Sequence, residues 1–248
     1  HTLTVTDLSL KAPDGETVLM EGATFSLRAG DGLGIIGPSG GGKSTLVRGL
    51  LGIVPATSGE VRFDGATLDQ WSKEQQSQFI GYLPQDIDLF PGTIAQNISR
   101  FDPAADAEKI RGAAELAMVH ELVVQKPGGY ETPVGPGGVA LSGGERQRIA
   151  LARAVYGTPF FVVLDEPNSN MDAVGERALA QTIRQLREAG SIVVVVTHRA
   201  SLLGDVNKLL QVSNGRPIVF GETKTVLARL QEKRQQAAAN AGGLRVVE

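Results

Sequence analysis

The chain has 248 residues, 42% of them hydrophobic, a formal net charge of −3 and no cysteine. That length and composition suit one large α/β domain, or two small ones, with a real core. The charge gives no reason to propose nucleic acid as the main partner, the missing cysteines exclude disulfides and thiolate metal sites, and no apolar run reaches the roughly 20 residues of a membrane span.

Leu3 to Leu10 alternates Leu and Val with Thr, Asp and Ser, the pattern of a half-buried strand. Val18 to Leu27 carries a second strand-like alternation after the turn Ala12-Pro13-Asp14-Gly15. The apolar run Leu33-Gly34-Ile35-Ile36 then leads into Gly37-Pro38-Ser39-Gly40-Gly41-Gly42-Lys43-Ser44-Thr45, and that loop into a segment with helical spacing that closes near Gly52. Glu60 to Phe63 reads as a strand with a hairpin signal at Asp64-Gly65, Gln70 to Phe79 as a polar helix, and Ile80 to Leu83 as a strand. Strand signals then stop until Phe160. The spacing instead predicts helices near Thr93–Ser99, Ala105–Val119, Val119–Val124 and Glu145–Val155, an inserted helical subdomain from about 86 to 155. The α/β pattern resumes with a strand at Phe160–Leu164, a helix at Val174–Ala189 stopped by Gly190, and a strand at Ser191–Thr197. Leu209–Ser213 and Pro217–Phe220 flank the hairpin dipeptide Asn214-Gly215, and a last helix spans Thr223–Arg229. The Gln-, Arg- and Ala-rich stretch from 231 to 248 is expected to be a mobile or partly helical tail.

Four stretches carry chemistry. Gly37 to Thr45 fits G-x-x-x-x-G-K-[ST] in its required strand–loop–helix context. Glycines let backbone N–H groups converge on phosphate oxygens at a helix N-terminus, Lys43 would reach the β- and γ-phosphates, and the Ser44 hydroxyl would take a Mg²⁺ position. The buried run Phe160–Leu164 ends in Asp165-Glu166-Pro167. Beside a phosphate loop, such an acid can hold Mg²⁺ (Asp165), and its neighbour can take a proton from an attacking water (Glu166). Thr197-His198 ends a Val-rich strand, the position at which open α/β sheets place ligands. Ser142-Gly143-Gly144 opens a second helix start suited to phosphate, which either faces the same nucleotide or serves one held by another copy.

With Leu141-Ser142-Gly143-Gly144-Glu145-Arg146-Gln147 in place, the chain resembles the nucleotide-binding domain of an ABC ATPase, over about 1–230. The resemblance implies an α/β fold with a P-loop NTPase (RecA-like) core, an N-terminal antiparallel β-subdomain and the inserted α-helical subdomain. It implies ATP and Mg²⁺ as ligands. Gly37, Pro38, Ser39, Gly40, Gly41, Gly42, Lys43, Ser44 and Thr45 would bind ATP, with Ser142, Gly143 and Gly144 of a second, head-to-tail copy closing on the γ-phosphate. Gln85 would touch Mg²⁺ and the attacking water, joining Ser44 and Asp165 as metal ligands, with Glu166, His198 and Gln85 catalytic. Ser169-Asn170-Met171-Asp172 resembles the D-loop, with Asp172 at the dimer contact.

Leu89-Phe90-Pro91-Gly92-Thr93-Ile94-Ala95-Gln96-Asn97-Ile98 is similar to the segment that exporter-type domains present to the coupling helices of a transmembrane domain. Together with Trp71 and the runs Ile80–Asp86 and Leu164–Asn170, it resembles the ATPases of type I secretion exporters, of the protease and lipase group. That likeness implies protein export from the cytoplasmic face of the bacterial inner membrane. It also implies a periplasmic adaptor, an outer-membrane channel and a membrane domain that this chain, opening on His1, is expected to have left behind. Three residues depart from the pattern: Ala12 at the usual adenine-stacking aromatic, Pro136 at an acid of the loop that senses the membrane domain, and Glu145 where Gln is common. The alternative is a soluble ABC-type ATPase acting on nucleic acid or the ribosome, against which the 89–98 segment argues. A GTPase lacks the Asp of a guanine-reading Asn-Lys-x-Asp after Asn207-Lys208.

Overall fold

The computed structural model describes residues 1–138, 141–168, 171 and 173–242. The D-loop residues Ser169, Asn170 and Asp172 lie outside them, as does 243–248. Strands β1 (Thr2–Lys11) and β2 (Val18–Arg28) form a hairpin, followed by β3 (Gly32–Ile36), helix α1 (Lys43–Leu50), β4 (Ser58–Phe63), β5 (Ala66–Thr67), α2 (Lys73–Phe79) and β6 (Ile80–Leu83). Next come β7 (Gly92–Thr93), α3 (Ile94–Ile98), α4 (Ala107–Leu116), α5 (His120–Val124), β8 (Pro133–Val134) and α6 (Gly143–Val155). The chain finishes with β9 (Phe161–Asp165), α7 (Ala173–Glu188), β10 (Ile192–Val196), α8 (Ala200–Leu203), β11 (Lys208–Ser213), β12 (Arg216–Glu222) and α9 (Thr223–Gly242).

An antiparallel sheet in the order β2-β1-β4-β5 covers one face of a six-stranded sheet in the order β12-β11-β3-β10-β9-β6, parallel except for the edge strand β12. Strand alternation splits the core in two. Phe161 and Val163 of β9 and Ile192, Val194 and Val196 of β10 pack with Leu46, Val47 and Leu50 of α1 beneath the antiparallel sheet. Val162, Leu164, Val193 and Val195 face the other way, onto helices α3 to α7. Because β3, β10, β9 and β6 are parallel neighbours, their C-terminal ends share one edge. In an open α/β sheet that edge is where ligands bind.

The structure corrects or extends the sequence reading in four places. The helix expected over Gln70–Phe79 breaks at Trp71–Ser72, because the Ser72 hydroxyl accepts from Gln75 N and caps a new helix. A two-residue ladder, Gly92↔Val134 and Thr93↔Pro133, lies inside the stretch where no strand is expected. It is too short to show alternation and is closed by residues far apart in sequence. The short α8 has no counterpart in the sequence pattern. Finally, α9 runs on past Arg229 to Gly242, into the stretch expected to be mobile or partly helical.

Candidate functional site

The turn from β3 into α1 is the phosphate loop of the sequence reading. Gly37 lies at φ 152° against Val212 O, where a Cβ would come within 1.9 Å, so only glycine fits. Gly42, at φ 101°, caps α1, and that helix start has neither a side-chain cap nor an acid in its first turn. Its N–H groups are therefore left for an anion. Lys43 is only 5% exposed, and its ammonium donates to Gly37 O at 3.1 Å and Pro38 O at 2.9 Å, which pins the head group within the loop.

The loop is also braced from a place that sequence reasoning missed. Asn214-Gly215 reads as a hairpin, but nothing in its pattern says where the hairpin points. Gly215 N donates to Gly41 O at 3.0 Å, Glu21 N donates to Gly215 O at 2.8 Å, and Arg216 pairs with Glu21 at 2.7 Å. A cleft of about 380 Å³ results, running from Val18, Leu19 and Asn214 past Ser44 to Gln85 and Glu166. Ala12 closes the turn ahead of it, with Ala12 N donating to Thr17 O. The half-exposed Val18, with Leu19, supplies the apolar surface at that end.

At the other end, β9 delivers Asp165, 2% exposed, with the Ser44 hydroxyl 3.5 Å from Oδ1. Burial, with the Glu166 charge adding to it, pushes the Asp165 carboxyl above its ordinary range, against the opposing Ser44 hydroxyl, Arg48 and Lys43. Glu166 stands in the left-handed region, φ 49°, and its N–H donates to Val196 O at 3.0 Å. This backbone is uncommon for a non-glycine residue and turns the side chain off the strand line. Gln85 Nε2 donates to Glu166 Oε2 at 3.1 Å, and His198 Nε2 lies 3.2 Å from Oε1. Three residues from three strand ends thus meet on one carboxylate. A carboxylate so held can accept a proton from a water in the cleft. Hydroxyl and carboxylate oxygens at the Ser44–Asp165 spacing are the donors a hard divalent cation takes.

Ser142, Gly143 and Gly144 do not line this cleft. They open α6, where the Ser142 hydroxyl accepts from Glu145 N at 3.2 Å and Glu145 Oε2 accepts from Ser142 N at 2.8 Å. The second phosphate-suited helix start therefore belongs to a different surface of the same molecule.

In the exporter-like segment, Phe90 is 57% exposed. The Arg153 guanidinium lies 5.7 Å over its ring, and Phe101 meets it edge-on. The buried Asn97 fixes the loop by bonding Phe90 N, Phe90 O and Thr93 O. Sequence reasoning also missed Arg100. Its guanidinium donates to the carbonyls of Arg153 (2.9 Å), Ala154 (3.1 Å), Ile80 (3.1 Å) and Ser77, tying the end of α3 to β6 and α6. Burial drives its pKa down to about 10, so it stays charged at neutral pH. An arginine in a loop has no pattern that marks it as half-buried and bonded to distant carbonyls. Among the described residues, no helix is long and apolar enough to cross a membrane.

Comparison with known proteins agrees with this geometry. A family model described as ABC transporter matches residues 20–169. The chain is 49% identical over 239 residues to the type I secretion system ATP-binding protein PrsD of Rhizobium meliloti, covering 96% of this chain and 41% of that protein. It is 36% identical over 228 residues to heavy metal tolerance factor 1 of Caenorhabditis elegans, covering 92% and 28% respectively. Among solved structures it is similar to a bacterial Atm1-family ABC exporter with ATP bound, at TM-score 0.84 and 29% identity over 95% of this chain and 42% of the other. The chain thus spans less than half the length of each of these three.

Proposed function

The chain belongs to the ABC transporter family as an ATP-binding domain, and we propose that it hydrolyses MgATP to power protein export by a type I secretion system. The observation that carries the hydrolytic reading is the Glu166 carboxylate, gripped on both oxygens by Gln85 and His198 beside Ser44 and Asp165. Support for protein as the cargo is the 49% identity to PrsD, against 36% to the metal tolerance factor.

In this reading Lys43 and the N–H groups of Gly37–Thr45 hold the β- and γ-phosphates. Ser44, Asp165 and Gln85 would hold Mg²⁺, which when bound offsets the negative charge of the phosphate oxygens. Glu166 takes the proton of the attacking water while the water oxygen bonds to the γ-phosphorus. The bond from that phosphorus to the β–γ bridging oxygen breaks, giving ADP and phosphate. Gln85 and His198 hold Glu166 in position for that step. Ser142, Gly143 and Gly144 of a second, head-to-tail copy close the γ-phosphate from the far side, so that two copies sandwich two ATP molecules. The surface around Phe90 receives the coupling helices of a transmembrane domain, on the cytoplasmic face of a bacterial inner membrane. A periplasmic adaptor and an outer-membrane channel complete the route.

Glu166→Gln is expected to keep ATP affinity, to slow hydrolysis by about 10²–10⁴-fold, and to accumulate as an ATP-bound dimer in sedimentation. Wild-type turnover in that variant would overturn the role given to Glu166. The cargo is tested by deleting the gene and comparing culture supernatants. Disappearance of a secreted protein with a C-terminal signal supports protein export. An intact set of secreted proteins with altered cellular metal content would point to a cargo like that implied by the name of the metal tolerance relative.

A further inference from the structure

The first turn of α6 combines features that oppose one another. Its proposed ligand is a γ-phosphate carrying full negative charge, yet Glu145 places a carboxylate in that turn, bonded to Ser142 N at 2.8 Å. An acid there stabilises the helix start in the way an anion would, and so competes with an incoming anion for the same N–H groups and the same positive end. A neutral amide at the position would make the same bond to Ser142 N without the charge.

Lys126 resolves the conflict. Its ammonium lies 2.7 Å from Glu145 Oε1, the oxygen that Ser142 does not use, and the two side chains are only 21% and 22% exposed. At that burial the pair is screened less than a surface ion pair. Burial raises the Glu145 pKa, and the bonds from Lys126 and Ser142 outweigh it, so the acid stays ionised. Lys126 is held by its backbone as well as its charge: its N–H donates to Val123 O at 3.0 Å, and its carbonyl accepts from Gly129 N at 2.9 Å. The next cation on the helix, Arg146, turns back onto the carbonyls of Leu141 and Gly138.

We infer that Lys126 is a positioning residue for the closing half of the nucleotide site, a cation that cancels the Glu145 charge so that the helix start behind Ser142 can receive the γ-phosphate of another copy's ATP. This rests on the reading of Ser142, Gly143 and Gly144 as that closing site. The pair does electrostatically what a single neutral amide at position 145 would do alone.

The experiment is steady-state ATP turnover of the full chain with its variants, across salt concentrations. Lys126→Met is expected to lower turnover about tenfold at low ionic strength, with the deficit shrinking as salt screens the exposed acid. Lys126→Arg should restore turnover. Glu145→Gln should stay within about twofold of wild type, and Lys126→Met/Glu145→Gln should recover to the level of Glu145→Gln alone. Recovery by removing the second charge separates an electrostatic role from a packing role, since a packing defect would persist in the double variant. Wild-type turnover in Lys126→Met, or a double variant no better than the single one, would overturn the inference. Ser142→Ala tests the underlying reading separately. Full turnover there would remove the phosphate role of α6, whereas its loss beside a fully active Lys126→Met would overturn only the role of Lys126.

Discussion

Two helix starts in this chain are glycine-rich and suited to phosphate, and they are built in opposite ways. At α1 a left-handed glycine caps the helix, no side chain occupies the free N–H groups, and a buried lysine and two acids stand around the opening. At α6 the first turn is already occupied by a reciprocal Ser142–Glu145 capping box and neutralised by Lys126. The first start is open to an anion and surrounded by groups that bind and react. The second is stable by itself and offers what its own bonds leave over, a hydroxyl proton and glycine amides. The difference fits the proposed division between one surface that holds the nucleotide within a chain and another that meets it only on closure.

That contrast can be broken most directly by removing one group from each side. Lys43→Ala should abolish nucleotide binding by the monomer, seen as loss of a fluorescent ATP analogue's signal. Ser142→Ala should leave monomer binding intact while lowering turnover by about 10²–10³-fold, the cost of removing one preorganised donor. If both variants lose binding alike, the two helix starts do not divide the labour. Next in size is the framework that carries the α6 half. Arg100→Ala strands four carbonyls and should cost roughly 3 kcal/mol of stability in urea denaturation. Arg100→Lys should recover only part of that, since an ammonium cannot reproduce the guanidinium fork.

On the α1 side, Ala12→Tyr should tighten ATP by roughly 1–3 kcal/mol, by analogy with base–aromatic stacking, and widen the preference over GTP. Unchanged affinities for both nucleotides would show that the Val18 end of the cleft does not take the base. The smallest expected effect on stability concerns Asp165. Its raised folded pKa means the folded chain binds more protons than the unfolded one above pH 3.8, so its contribution to stability falls as pH rises through that window. Asp165→Asn should therefore melt at or above the wild-type temperature at neutral pH while losing Mg²⁺-dependent turnover. Melting curves at several pH values check the sign.

Much of the site was legible in the residues because its chemistry is local. Gly37–Thr45 encodes a strand–loop–helix in nine consecutive positions, and Asp165-Glu166 follows an unbroken apolar run that can only be a buried strand. Arg100 and Lys126 were illegible for the converse reason. Their partners are carbonyls and a carboxylate reached across the fold, and nothing in the neighbouring residues marks an exposed-looking cation as half-buried and paired.

The sequence alone therefore determined which groups are present, which local backbone each sits on, and that two phosphate-suited helix starts exist, since periodicity, glycines and caps are properties of neighbours along the chain. Only the tertiary structure decided which of those groups meet. The parallel order of β3, β10, β9 and β6 gathers Lys43, His198, Asp165, Glu166 and Gln85 at one edge. The same packing leaves Ser142 on another surface with its acid and its neutralising lysine. Strand order and helix docking come from how buried faces fit together over long separations, and no local pattern carries that information.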